Sequence, residues 1–399
     1  MTEPRQPPPG LETGPEPPAT ADDPYGATGG APPADPPVQQ PAGQPPAAVG
    51  FWHDRWASSV AAEAAGAAEA TREPVQESTA DRPWRRHSDG RWIVGDAGRQ
   101  PLVQVVAPRE GSPQDTALAE GEARQLVYRA ASVRGISHQE RGQPRQDAFT
   151  VRTSADGGWL VGCIADGVSQ APLSHQAAET VCAHMTEAII DVTDRKASLE
   201  AWLDWDRVVQ VANLAVLERA HPVLRRKYRH RNELDRLAAL ENGLPTAAEA
   251  RGVMSTTALA FIVGTEPDDY GRHLVMLGNA AGDCSAFLLR EGRWTALTEV
   301  KNEGASVVSG VVRSLPADTP SVRVIPATLS AGDALVVMTD GLGDPLGSAT
   351  GVVSDFLAEG WSSPPALPDF AARVSFYRRT FADDRTAVVV WAGQRWGAP

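Results

Sequence analysis

Four short acidic stretches abut apolar, β-prone runs: Gln146-Asp147, Ala165-Asp166-Gly167, Thr339-Asp340-Gly341 and Asp383-Asp384-Arg385-Thr386. They are scattered over the last two-thirds of the chain. Carboxylates at the ends of strands from distant parts of a sequence converge when a sheet gathers those ends. An unpaired carboxylate ending a buried apolar strand is costly unless something cationic neutralises it. Hard oxygen ligands suit Mg²⁺ or Mn²⁺, so the pattern implies metal-assisted chemistry on phosphoesters.

Elements able to position such residues are legible along the chain. Strand-like alternation begins near Leu126 and continues through Ala148–Val151 and Trp159–Ala165. Two helical patterns follow. One runs from Ser174 to Val192 with Ala178, Val181, Cys182, Met185 and Ile189 at helical spacing. The other runs from Trp205 toward Leu240, with a break expected near Pro222. Strands then return at Thr256–Val263, His273–Leu277, Cys284–Leu289, Val322–Ile325, Ala334–Met338 and Thr386–Trp391. Short connections such as Arg290-Glu291-Gly292-Arg293 imply antiparallel pairing, and helices inserted in an antiparallel run imply two packed sheets with helices outside.

The chain has 399 residues, of which 42% are hydrophobic, enough for a sizeable core. A formal charge of -13 excludes a nucleic-acid binder, because no positive field would gather phosphates. An anionic substrate must then be held locally, by metal or arginine. The basic run Arg225–Arg231 reads as a solvated helix face whose charges pair with Glu233 and Asp235. Cys163, Cys182 and Cys284 are isolated and fit neither a disulfide framework nor a thiolate zinc site. They read as core residues in a reducing, cytoplasmic compartment. No basic and apolar leader and no membrane-spanning run is found, so no membrane association is expected.

Residues 1–50 hold nearly half of the 33 prolines and few large apolar side chains, and they are expected to form a disordered tail. Pro7-Pro8-Pro9 also gives that tail a polyproline character able to bind a partner's aromatic groove. Residues 51–123 carry Phe51, Trp52, Trp56, Trp84 and Trp92, which either dock onto the following domain or form a partner-binding motif. The catalytic unit is expected over 124–392.

From about Tyr128 to Val390 the order of motifs resembles the metal-dependent protein phosphatases, the type 2C serine/threonine phosphatases, in their bacterial form. The matching elements are Gln146-Asp147-Ala148, Ile164-Ala165-Asp166-Gly167, Ser255-Thr256-Thr257-Ala258, Gly278-Asn279-Ala280-Ala281-Gly282-Asp283, Met338-Thr339-Asp340-Gly341-Leu342 and Asp383-Asp384-Arg385-Thr386. The resemblance implies an α+β fold, a four-layer α-β-β-α sandwich of two antiparallel sheets flanked by helices. It also implies two Mn²⁺ or Mg²⁺ ions and a third, weaker one. By the same resemblance Asp166 bridges the first two ions, Gly167 offers its carbonyl, Asp340 and Asp383 complete the first shell, Asp147 lies close by, and Asp283 serves the third ion.

The implied reaction is hydrolysis of phosphoserine or phosphothreonine on proteins, targets of a serine/threonine kinase among them, by a water bridging the ions. The chain departs from the family at several positions. His138 stands where a phosphate-gripping arginine is usual, with Arg141 and Arg145 near; it is either a ligand and proton donor or a plain turn histidine. Gln146 replaces an acid, Asp384 an asparagine, and Val168 a histidine found in eukaryotic relatives. Lys301–Pro316 matches the family's flap, and is either a substrate-selecting element or an ordinary surface loop. These departures keep open a second class, a pseudophosphatase that binds phosphoproteins or regulates.

Overall fold

The chain divides into two units, Met1–Gln76 and Glu77–Pro399. The computed structural model describes residues 82–87, 90–96, 105–108, 111–194, 203–299 and 313–393, all in the second unit. The tail expected over 1–50, the Phe51–Trp56 cluster and most of Lys301–Pro316 lie outside the described residues.

In chain order the elements are β1 (Trp84–Arg86), β2 (Trp92–Val94), β3 (Thr116–Ala123), β4 (Leu126–Val133), α1 (Ile136–Arg141), β5 (Ala148–Thr153) and β6 (Trp159–Ala165). Next come α2 (Ser174–Thr193), α3 (Trp205–Arg231), α4 (Leu234–Glu241), α5 (Ala247–Arg251), β7 (Ala258–Gly264), β8 (Arg272–Ala281), β9 (Ser285–Arg290) and β10 (Arg293–Ala296). The last are β11 (Arg323–Ser330), β12 (Ala334–Met338), α6 (Asp340–Leu346), α7 (Val352–Trp361), α8 (Leu367–Val374) and β13 (Arg385–Ala392). A six-stranded sheet has the order β10-β9-β12-β13-β4-β3, and a five-stranded sheet the order β11-β8-β7-β6-β5. Every pairing within them is antiparallel.

The layering follows from side-chain alternation. On β13, Val388, Val390 and Ala392 meet Leu160, Ile164, Leu259 and Phe261 of the facing sheet. Ala387, Val389 and Trp391 point the other way, onto Phe356, Trp361 and Phe370 of α7 and α8. β6 and β7 do the same, sending Val161, Cys163, Ala260 and Ile262 under α2 and α3. Both faces of the central strands are covered, which is why their sequences are apolar throughout. The result is the expected α-β-β-α sandwich.

Two expectations are corrected. The strands of the sheet start at Thr116, ahead of the start expected near Leu126: β3 turns back onto β4 through Arg124, whose φ is 53. Its Ala-, Glu- and Gly-rich sequence hid a strand that has only one neighbour. Pro222 does not break the second helix, because α3 runs through it on a continuous buried stripe from Val208 through Val216 and Ala220 to Tyr228. The break falls at Asn232, left-handed with φ 57, where its amide and that of Glu233 cap the last carbonyls. The second helical layer is built from the short helices α6 to α8, of which α6 carries Gly341, Gly343 and Pro345.

The hairpin of β1 and β2 sits on this second layer. Trp84 and Trp92 each meet the Phe356 ring edge-on, at 5.9 and 5.4 Å. The Val94 amide donates to the Tyr377 carbonyl and the Tyr377 amide to that of Trp92.

Candidate functional site

Sheet register brings the acidic stretches to one edge of the sandwich. In the five-stranded sheet Ala148 pairs with Ala165, so Asp147, just before β5, and Asp166, just after β6, leave the same end. In the six-stranded sheet Met338 pairs with Ala387 and with Ser285. Thr339-Asp340 after β12, Asp383-Asp384 before β13 and Asp283 before β9 therefore collect at that sheet's matching end.

Hydroxyls tie the two ends together. Asp147, 3% exposed, accepts from Thr339 Oγ1 at 2.7 Å and Thr386 Oγ1 at 2.8 Å. The main chain of Asp166 is clamped by the Ser255–Ala258 stretch. Its amide donates to Thr257 Oγ1 at 2.8 Å, and its carbonyl accepts from Thr256 Oγ1 and the Thr257 amide, also at 2.8 Å. Two glycines permit close approach. A Cβ on Gly341 would lie 1.8 Å from the Asp384 carbonyl oxygen, and one on Gly135 2.2 Å from the Asp383 carbonyl carbon.

Carboxylate oxygens of Asp166, Asp283 and Asp340 lie within 4.8 Å of one another. Such crowding opposes ionisation. The Asp166 carboxyl is pushed well above its ordinary value, first by burial and then by the charges of Asp147, Asp340 and Asp383. Burial, followed by the charge of Asp384, pushes Asp147 up to about 8 against the pull of its two threonines. Gly167 adjoins Asp166 and bridges to Thr256.

His138 belongs to a second, adjoining group with Asp383 and Asp384. Its ring is buried, with Nδ1 2.8 Å from Asp384 Oδ1 and Nε2 3.8 Å from Asp383 Oδ1. The Nδ1 contact is close but off the line of an ideal hydrogen bond, a common state of ligand-free sites. Burial works against the imidazolium, yet Asp384, Asp383 and Asp147 together outweigh it and raise the His138 pKa. Asp383, more than half exposed, stands between this group and the carboxylate cluster.

The two arginines differ in setting. Arg145 is buried, and its Nε and Nη1 donate to Gln114 O, Ser132 Oγ and Asp147 O, so it braces the main chain under the site. Arg141 lies exposed at the end of α1, three residues on from His138. Asp384 was noted in the sequence only as a replacement, yet it holds the Gly135 amide at 2.6 Å and the Gln146 amide at 2.5 Å. The signal was the second of two adjacent aspartates just ahead of a strand that is buried throughout.

The residues fit divalent cations. Three carboxylates are clustered there, and Asp166 among them, pushed well above its ordinary value by burial and by its acidic neighbours, needs neutralising charge before it can ionise. Beside them the buried Gln146 Oε1 accepts no hydrogen bond from the protein, as suits an oxygen that faces an ion's water shell.

Several solved structures resemble the chain. RsbX in complex with magnesium is 13% identical, covers 69% of this chain and 100% of its own, and has a TM-score of 0.40. The catalytic domain of the serine/threonine phosphatase PstP in complex with two manganese ions is 19% identical over 67% and 99%, with a TM-score of 0.41. The phosphatase MsPP from Mycobacterium smegmatis, in complex with cacodylate, is 20% identical over 70% and 97%, with a TM-score of 0.39. No curated protein matches the chain. Residues 134–366, more than half of the sequence, match the profile described as protein phosphatase 2C, and with that match the chain belongs to the protein phosphatase 2C family.

Proposed function

We propose that the chain is a metal-dependent phosphatase that hydrolyses phosphoserine and phosphothreonine on proteins. The observation that carries this reading is the convergence of Asp166, Asp283 and Asp340 within 4.8 Å, beside Asp147 and Asp383. Asp166, Asp340 and Asp383, with the Gly167 carbonyl, would hold two Mg²⁺ or Mn²⁺ ions, and Asp283 a third. When bound, such ions supply Lewis-acid charge and an activated water for in-line attack on phosphorus.

The protein's own residues orient and screen. Thr339 and Thr386 fix the Asp147 carboxylate, and Thr256 and Thr257 fix the Asp166 main chain. His138, held near Asp383, contacts the substrate phosphate or donates a proton at Nε2, and Arg141 extends the cationic side of the site. Arg145 is assigned a bracing role, holding the Asp147 carbonyl. The catalytic unit is 124–392 extended by β3 over 116–123, with 1–50 a tail and the residues between them a linker or docking segment. Three buried free thiols support a reducing, cytoplasmic setting. No helix among the described residues is long and apolar enough to cross a membrane.

A second reading, a pseudophosphatase that binds phosphoproteins, draws support from Arg145 being turned inward and from Gln146 in an acid's place. Calorimetric titration of Mn²⁺ alongside turnover separates the two. The enzyme reading expects saturable binding, weakened in Asp340→Asn, together with metal-dependent hydrolysis. Binding without turnover would select the second.

A further inference from the structure

The Asp384 carboxylate is held by main-chain amides. Its Oδ1 accepts from the Gly135 amide at 2.6 Å and lies 2.8 Å from His138 Nδ1, and its Oδ2 accepts from the Gln146 amide at 2.5 Å. Its carboxylate is buried and accepts from two main-chain amides, whereas Asp383, the preceding residue, has a side chain 55% exposed. These two neighbours thus do different work.

The ring beside it is equally constrained. α1 is pinned at its start by the Ser137 amide donating to the Ala382 carbonyl, and within its turn by buried Arg134, which donates to the His138 carbonyl at 2.9 Å. Backbone placement therefore sets where the imidazole sits, and Asp384 sets which nitrogen faces which way. With Nδ1 2.8 Å from an oxygen that already accepts from the Gly135 amide, a hydrogen on Nδ1 is the arrangement that avoids opposing lone pairs, even though the contact is off the ideal line, and Nε2 is turned to the Asp383 side.

We propose that Asp384 is a positioning residue: it holds His138 through Nδ1, so that Nε2 is presented at the edge of the carboxylate cluster to the phosphate of the substrate. The pair works as one unit bridging α1 and the start of β13, and it specialises a site in which Arg145 is committed to the main chain. The use of Nε2 on a phosphate rests on the phosphatase reading above; the orientation of the ring does not.

The experiment has two arms. In ¹⁵N NMR of histidine-labelled, metal-free protein, with His138 assigned by loss of its signals in His138→Ala, the expected wild-type ring has a slowly exchanging Nδ1 hydrogen that disappears in Asp384→Asn. A wild-type ring with its only hydrogen on Nε2, an unchanged ring in Asp384→Asn, or loss of the Nδ1 hydrogen on adding Mg²⁺ would each overturn the proposal, the last because the ring would then be a ligand. In the second arm, kcat/KM for a phosphothreonine peptide with Mn²⁺ is expected to fall roughly tenfold to a hundredfold in Asp384→Asn. The double variant His138→Ala/Asp384→Asn should then lose no more than the worse single one. Losses that multiply would assign Asp384 to the Gly135 and Gln146 amides alone and overturn its action through His138. A wild type without turnover whose Nδ1 hydrogen is present sinks the phosphatase reading and leaves the positioning of the ring standing.

Discussion

Thr339 Oγ1 donates to Asp147 Oδ2 at 2.7 Å, joining the end of β12 in one sheet to the start of β5 in the other across 192 residues of sequence. One hydroxyl thereby locks the edges of two packed sheets together under the carboxylate cluster. Thr339→Val removes that donor from a buried carboxyl and is expected to destabilise the protein by about 1–3 kcal/mol. Urea unfolding measures it, and an unchanged midpoint would show that the hydroxyl does not bind the sheets.

The same carboxyl makes a pH signature. In the metal-free folded protein Asp147 ionises near 8 against an ordinary 3.8, and Asp166 is shifted in the same direction. The folded state thus binds more protons than the unfolded chain between those values, so stability falls as pH rises through that window. A divalent cation relieves the opposition. Mg²⁺ or Mn²⁺ is therefore expected to raise Tm more at pH 8 than at pH 5 in a thermal-shift series, and equal shifts at both would contradict the assignment.

Close packing against the Asp383–Asp384 main chain is testable at a glycine. Gly341→Ala forces a methyl to 1.8 Å from the Asp384 carbonyl oxygen, so the loop must move. Loss of metal affinity by calorimetry and a lowered Tm are expected, while Gly243→Ala, with open space around its Cβ, serves as a near-neutral control. Normal metal affinity in Gly341→Ala would show that the loop's placement is unimportant.

Phe356 is the anchor for the aromatic hairpin, meeting Trp84, Trp92 and Phe376 in edge-on contacts. Phe356→Ala should cost about 3–5 kcal/mol and expose both tryptophans, read as a red shift of fluorescence. A loss of less than about 1 kcal/mol would mean the hairpin and helical layer do not share a core.

The acidic stretches were legible because each carboxylate ends a strand whose apolar alternation is plain, as with Asp166 after Trp159–Ala165 and Asp340 after Ala334–Met338. The hairpin turn at Glu291-Gly292 was equally plain, both residues having positive φ. Arg145 was not legible, since nothing local distinguishes an arginine that binds a phosphate from one that braces Gln114, Ser132 and Asp147 carbonyls and hydroxyl from distant strands. Asp384 was hidden for the same reason: its partners Gly135, His138 and Gln146 lie roughly 240 residues earlier and meet it only through the β4–β13 pairing.

The central claim is that the Asp166 cluster performs metal-dependent phosphomonoester hydrolysis. Its most direct test is release of phosphate from a phosphothreonine peptide by the purified chain, with and without Mn²⁺ or Mg²⁺, beside Asp166→Ala. The account predicts turnover that requires the metal and is abolished in Asp166→Ala. Metal-independent turnover, or full activity in Asp166→Ala, would contradict it.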